Sequence, residues 1–233
     1  MEGDIADSMD DRHSCSRPVR LMDYDRLAEE LKRTVSRLPA KSQYWIGLAG
    51  APGSGKSTVA AALQEQLGES LTVLPMDGYH YPRRELDAMS DPENAHARRG
   101  APFTFDAGRL VADLLAARER GTGSFPAFDH GVGDPVEDAI ALTNERPQIV
   151  LVEGNYLLLD GNPWCRLRES VFDKTWFLDV PIAECNQRVF QRHLPTGKSI
   201  EIARRRVDRN DGLNAELVIA QSLKNADRVL RVG

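Results

Sequence analysis

The residues with the most explicit chemistry are Gly50, Ala51, Pro52, Gly53, Ser54, Gly55, Lys56, Ser57 and Thr58, which fit G-x-x-x-x-G-K-[ST] at every fixed position. Glycines at those places let the backbone turn tightly and aim its N–H groups at an anion. A helix that follows adds positive potential at its N-terminus. Lys56 can then reach the β- and γ-phosphates of a nucleoside triphosphate, and Ser57 can ligate Mg²⁺. The flanks agree: Tyr44–Ala49 is an apolar run of strand length, and Thr58–Leu67 reads as a helix. A merely flexible Gly/Ser loop requires none of these in register. The spacing predicts a triphosphate cradle.

Phosphoryl transfer asks a protein for positioning and charge stabilisation, with a carboxylate to orient the attacking hydroxyl. Asp77 directly follows the apolar strand expected over Leu71–Met76 and is the candidate base. Because Asp-Gly is also a strong turn dipeptide, a turn-forming role is its alternative. Glu153 ends the most strand-like run, Ile149–Val152, where it is placed to hold Mg²⁺ directly or through water. Capping a turn is the plainer role for it. Asp179 stands just ahead of the helix that Pro181 opens, so the helix dipole alone accounts for it.

Arg188 and Arg192 lie four residues apart and share a helical face. With His193, Lys198, Arg204, Arg205, Arg206 and Arg209 they form a basic cluster, expected to be an arginine-rich lid over the triphosphate. Taken singly, each reads as a solvated surface charge. Thr196-Gly197-Lys198-Ser199 is no second cradle, because Arg192 occupies the upstream glycine position.

Two long aperiodic stretches, from Asp77 to Phe105 and over Gly121–Asp138, have the character of functional loops. They supply candidates for an acceptor pocket: Tyr79, His80, Arg83, Arg84, His96, Arg98 and Arg99, with Phe103 and Phe105 as flat apolar area. Asp106, Asp129 and His130 can bond hydroxyls, although Asp106 is equally an N-cap for the helix expected over Asp106–Arg120.

The elements that must position these groups alternate between strand and helix, which implies a parallel sheet covered on both faces. Ligands then sit outside the carboxyl ends of the strands, where the cradle, Asp77 and Glu153 fall. A leading helix is expected over Asp23–Leu38, a short one over Trp164–Ser170 and another over about Asn214–Asn225. Further strands are expected over Thr175–Val180 and Arg228–Val232. Residues 1–20 are polar and aperiodic and read as a mobile tail, and 21–233 read as one domain.

A net charge of -5 argues against bulk nucleic-acid binding, and no apolar run is long enough to span a bilayer. Cys15, Cys165 and Cys185 lack metal-type spacing, which suits a reducing interior; with an acidic N-terminus lacking an apolar core, the cytoplasm is expected. Partners should be small molecules, with the chain a monomer or homodimer. A nucleotide-dependent switch or assembly ATPase is the rival reading, but no Asn-Lys-x-Asp or Thr-Lys-x-Asp guanine reader occurs.

These residues together resemble the P-loop kinases grouped around uridine kinase, bacterial-type pantothenate kinase and phosphoribulokinase. The resemblance rests on Gly50–Thr58, Met76-Asp77-Gly78-Tyr79-His80, Pro102-Phe103-Thr104-Phe105-Asp106, Val152-Glu153-Gly154-Asn155-Tyr156 and the basic cluster, and covers most of the chain from about Trp45 onward. It implies an α/β P-loop fold with a five-stranded parallel sheet flanked by helices, ATP with Mg²⁺ as cofactors, and phosphorylation of a small-molecule hydroxyl. It further implies that Asp77 is the base and that Phe105-Asp106 read a ribose diol. Uridine kinases carry Asp-x-Phe-Tyr after the second strand, however, and Asp77-Gly78-Tyr79-His80 is closer to the pantothenate-kinase form. Phe128-Asp129-His130 likewise departs from their Tyr-Asp-Phe block. The blocks Arg98–Phe103 and Asn210–Asn214 resemble a branch labelled nucleoside/nucleotide kinase or fructose-transport-associated kinase.

Overall fold

The computed structural model describes residues 23–197 and 199–231; the tail expected over 1–20, Cys15, Lys198 and the strand end at Val232 lie outside the described residues. In chain order the helices and strands are α1 (Tyr24–Arg37), β1 (Gln43–Gly50), α2 (Lys56–Leu67), β2 (Leu71–Pro75), α3 (Arg83–Leu86), α4 (Pro92–Ala97), α5 (Ala107–Arg120), β3 (Gly123–Asp129), β4 (Asp134–Leu142), β5 (Gln148–Gly154), α6 (Cys165–Ser170), β6 (Lys174–Asp179), α7 (Ile182–His193), α8 (Ile200–Arg206), α9 (Gly212–Ser222) and β7 (Arg228–Arg231).

Five strands form one parallel sheet in the order β2-β5-β1-β6-β7. Successive side chains on a strand point to opposite faces, so a strand covered on both sides must be apolar at nearly every position. β5 meets that demand. Val150 and Val152 join Trp45, Ala49, Leu74, Leu110, Leu114 and Phe177 on one face, packed under α5. Ile149 and Leu151 join Ile46, Leu48, Val59, Leu63, Trp176 and Leu178 on the other, under α1 and α2. The leading helix forms where the sequence places it: Asp23 caps it by accepting from the Arg26 N–H at 3.0 Å, and Leu27, Ala28 and Leu31 are its buried face.

Both aperiodic stretches prove to be more ordered than expected. The first contains α3 and α4, the latter opened by Pro92 and capped by Asp91 accepting from the Asn94 N–H at 3.1 Å. The second, read as irregular over Gly121–Asp138, is mostly an antiparallel hairpin of β3 and β4, registered from Gly123↔Leu142 to Asp129↔Asp134. The physical reason for the difference is exposure. Much of β4 is solvated, so it carries polar residues at positions where a core strand would be apolar. Pro126, which has no N–H to donate, falls at the register shift between Phe125 and Ala127.

Gly78 sets where the hairpin lies. A Cβ on Gly78 would stand 2.2 Å from the Pro126 carbonyl oxygen, so only glycine allows the turn after β2 to touch β3.

Candidate active site

β1 ends in the cradle, and the N-terminus of α2 begins inside it at Lys56. Gly55 precedes that helix with a φ of +97°, a left-handed conformation that glycine adopts without strain. Cysteine 185 of α7 packs so closely that a Cβ on Gly53 would lie 2.4 Å from its carbonyl oxygen. The loop is thus held between its own helix and α7. Ser54 Oγ is buried within it and has no hydrogen-bond partner, an unused donor in a loop whose shape suits an anion.

A cavity of about 440 Å³ opens beside the loop. Lys56, Ser57, Asp77, Glu153, Arg188 and Arg192 all border it, from four different elements. The Ser57 hydroxyl donates to Glu153 Oε1 at 2.9 Å, pairing a helix residue with the end of β5. Lys56 is buried, and its Nζ donates to the carbonyls of Gly50 at 3.0 Å and Ala51 at 3.1 Å and to Asn155 Oδ1 at 2.7 Å. Burial holds the Lys56 ammonium below its usual range, against the pull of Glu153 and Asp77. Burial likewise raises Glu153, while Lys56 opposes the shift.

A hydroxyl beside a carboxylate suits a small hard cation that takes its remaining ligands from phosphate oxygens and water. Among the described residues no group of three or more His, Cys, Asp or Glu is arranged as a self-sufficient metal site. Ser57 and Glu153 are the residues that would hold Mg²⁺, with its other ligands supplied by phosphate oxygens and water.

Arg188 reaches the loop itself, donating to the Ser54 carbonyl at 3.2 Å while its other amine group pairs with Glu184. The rest of the basic cluster diverges. Arg206 donates to the Arg99 carbonyl at 3.0 Å, and Arg204 lies over the Phe190 ring. Of the described arginines in the expected lid, Arg188 and Arg192 border this cavity.

The turn after β2 separates this cavity from a second, of about 400 Å³, bordered by Tyr79, His80, Tyr81, Arg84, Asp106, Arg109 and Glu137 among others. Asp106 has both of its expected features: it borders this cavity and caps α5, accepting from the Arg109 N–H at 2.9 Å. Tyr79 is buried and donates its hydroxyl to Asp113 at 3.0 Å. His80 packs on Phe105, with ring centroids 3.9 Å apart, and lies 4.9 Å from Phe128. Its Nδ1 faces the Asp77 carbonyl at 2.8 Å, and since a carbonyl only accepts, that nitrogen carries the proton. Burial lowers the His80 pKa despite the neighbouring Asp77, so the ring is held neutral.

The remaining candidates lie apart from both cavities. Phe105 is buried beneath His80. Arg99 lies over Phe128 and bonds the Gly133 carbonyl at 2.6 Å, the Tyr81 carbonyl at 3.1 Å and Asp134 at 2.7 Å, so its guanidinium clasps the hairpin. Asp129 accepts from the N–H groups of Gly131 and Val132 and shapes the hairpin turn, while exposed His130 stands edge-on to Phe128. The blocks around Arg98 and Asn210 meet: Arg98 donates to Asn210 Oδ1 at 3.0 Å and Asn214 Oδ1 at 3.2 Å. Sequence reasoning assigned nothing to Asn155 or to the Arg109–Glu137 pair. Neither has a local signal, since each depends on a residue far along the chain.

An anion cradle at the tip of β1, with acids at the ends of β5 and β2, defines a P-loop kinase. No protein-family model matches the chain. It is 41% identical over 208 residues to "Putative uridine kinase C227.14" of Schizosaccharomyces pombe, spanning 84% of this chain and 85% of that protein. It is 31% identical over 196 residues to "ATP-dependent kinase YFH7" of Kluyveromyces lactis, spanning 67% of this chain and 55% of that longer protein. The crystal structure titled "putative fructose transport system kinase from Silicibacter sp. TM1040" is 34% identical, with a TM-score of 0.73, over 87% of this chain and 98% of that one. The chain belongs to the uridine kinase-like family of P-loop kinases.

Proposed function

We propose that the protein transfers the γ-phosphoryl group of ATP to a hydroxyl of a nucleoside, sugar or related small metabolite. One observation carries the reading: Lys56, Ser57, Glu153, Asp77 and two arginines border a single cavity at the carboxyl edge of the sheet. In this reading the loop's N–H groups and Lys56 bind the phosphates. Ser57 and Glu153 hold Mg²⁺, which when bound neutralises charge on the phosphate oxygens. Asp77 accepts the proton of the acceptor hydroxyl, and Arg188 and Arg192 stabilise charge on the transferring group.

The acceptor approaches from the second cavity, with Tyr79, His80 and Asp106 as its contacts; Arg99 and Phe105 support the wall residues Asp134 and His80, and Asp129 and His130 belong to the hairpin turn beside it. The names of two relatives, "Putative uridine kinase C227.14" and "putative fructose transport system kinase", favour a nucleoside or sugar. The test is ADP release from ATP with Mg²⁺, with and without a panel of uridine, nicotinamide riboside, pantothenate, fructose and ribulose 5-phosphate. Release stimulated by an acceptor is expected. Acceptor-independent release would instead support a nucleotide-driven switch.

A further inference from the structure

Asn155 lies two residues beyond the end-strand acid Glu153, borders the nucleotide cavity, and has no role in the reading above. It accepts the shortest of the three hydrogen bonds from Lys56, at 2.7 Å against 3.0 and 3.1 Å to the loop carbonyls. An ammonium group has three protons and no more. All three are therefore taken by protein acceptors, and a phosphate oxygen can reach Lys56 only by displacing one of them. Two of these are the backbone carbonyls of Gly50 and Ala51, which the end of β1 and the loop hold in place. The third is a half-buried side chain that borders the cavity.

We propose that Asn155 is a positioning residue that orders the Lys56 ammonium beside the cradle and gives it up to the triphosphate. The chemistry suits a neutral amide. A buried ammonium left one partner short carries a desolvation cost, which the amide oxygen relieves. A carboxylate in its place would form a buried ion pair that a phosphate must break, and would repel the phosphate as well. An amide oxygen is an acceptor strong enough to order the lysine and weak enough to be replaced by a charged one.

This rests on the nucleotide reading above, and the experiment separates the two. Calorimetric titration with ATP and Mg²⁺ is made on the wild-type chain, Asn155→Ala and Asn155→Asp, with thermal melting to confirm that each variant folds and Asn155→Ser as a substitute should either not. Asn155→Asp is expected to weaken ATP binding at least ten-fold. Asn155→Ala, which removes the competitor, is expected to bind within two-fold of wild type or more tightly. A ten-fold loss in Asn155→Ala would make Asn155 a contact of ATP itself, and an unchanged affinity in Asn155→Asp would remove it from the phosphate site; either overturns the proposal. A wild-type chain that does not bind ATP overturns the nucleotide reading, and this one with it.

Discussion

Replacing Gly78 by alanine adds a single carbon where two backbones touch. That carbon would stand 2.2 Å from the Pro126 carbonyl oxygen, 2.6 Å from its carbon and 3.1 Å from the Ala127 nitrogen. Contacts become ordinary at 3.4 Å, so the turn after β2 and the hairpin must part by about 1.2 Å at that point. Neither partner is a flexible side-chain end, and both belong to the machinery: Asp77 precedes Gly78, and β3 pairs with β4, whose Asp134, Pro135 and Glu137 border the second cavity. Overpacking of this kind costs about 1–3 kcal/mol of stability. A displacement of about 1 Å between reacting groups costs on the order of 10²-fold in turnover. The assay pairs denaturant unfolding with ATP titration and acceptor-dependent ADP release. Gly78→Ala should lose stability and turnover but retain ATP affinity, since the cradle at Gly50–Ser57 is not touched. Gly161→Ala is the control, because nothing lies within 4 Å of its would-be Cβ, and its stability should change by no more than about 0.5 kcal/mol. Wild-type stability and turnover in Gly78→Ala would refute the argument that this contact sets the hairpin against the Asp77 turn.

Other consequences are as specific. Lys56→Ala should leave the melting transition in place and reduce ATP-dependent turnover by about 10²–10³-fold, the scale for loss of one preorganised donor; an unchanged rate would remove the cradle from the chemistry. His80 has a folded-state pKa below its ordinary 6.5, so the unfolded chain binds the proton first as pH falls. Its neutral packing between Phe105 and Phe128 is therefore fully favourable above about pH 6.5 and is weakened progressively as pH falls toward the folded pKa, near Asp77, Arg99 and His130. Unfolding free energy measured between pH 7 and 5 should fall more steeply for wild type than for His80→Phe, and equal slopes would contradict a buried neutral imidazole. Asp134→Asn weakens the Arg99 clasp on the hairpin; it should lower acceptor-dependent turnover while leaving ATP binding unchanged, and a variant that loses ATP affinity would show the clasp acting on the wrong site.

The groups at the strand ends were legible in the sequence because their signals are local. Gly50–Thr58 is a contiguous motif between a strand and a helix, and Asp77 and Glu153 each directly follow an apolar run. The inner strands β1, β5 and β6 could be read for the same reason, since strands buried on both faces leave unbroken apolar runs, whereas the edge strands β2 and β7 are less buried and carry a weaker signal. The hairpin could not, because β4 is largely solvated and lacks that mark. Roles set by distant partners were equally hidden. Arg99 reads as an acceptor-pocket charge until Gly133 and Asp134 are brought to it, and Asn155 has no assigned role until the β1 loop brings Lys56 within 2.7 Å.

Asp77→Asn offers the most direct test of phosphoryl transfer at this site. With the acceptor that stimulates the wild-type protein, a single turnover of bound ATP should slow by about 10²–10⁴-fold, the range for loss of a general base, while ATP affinity stays at the wild-type value. Transfer at the wild-type rate in Asp77→Asn, with ATP bound equally well, would contradict the account.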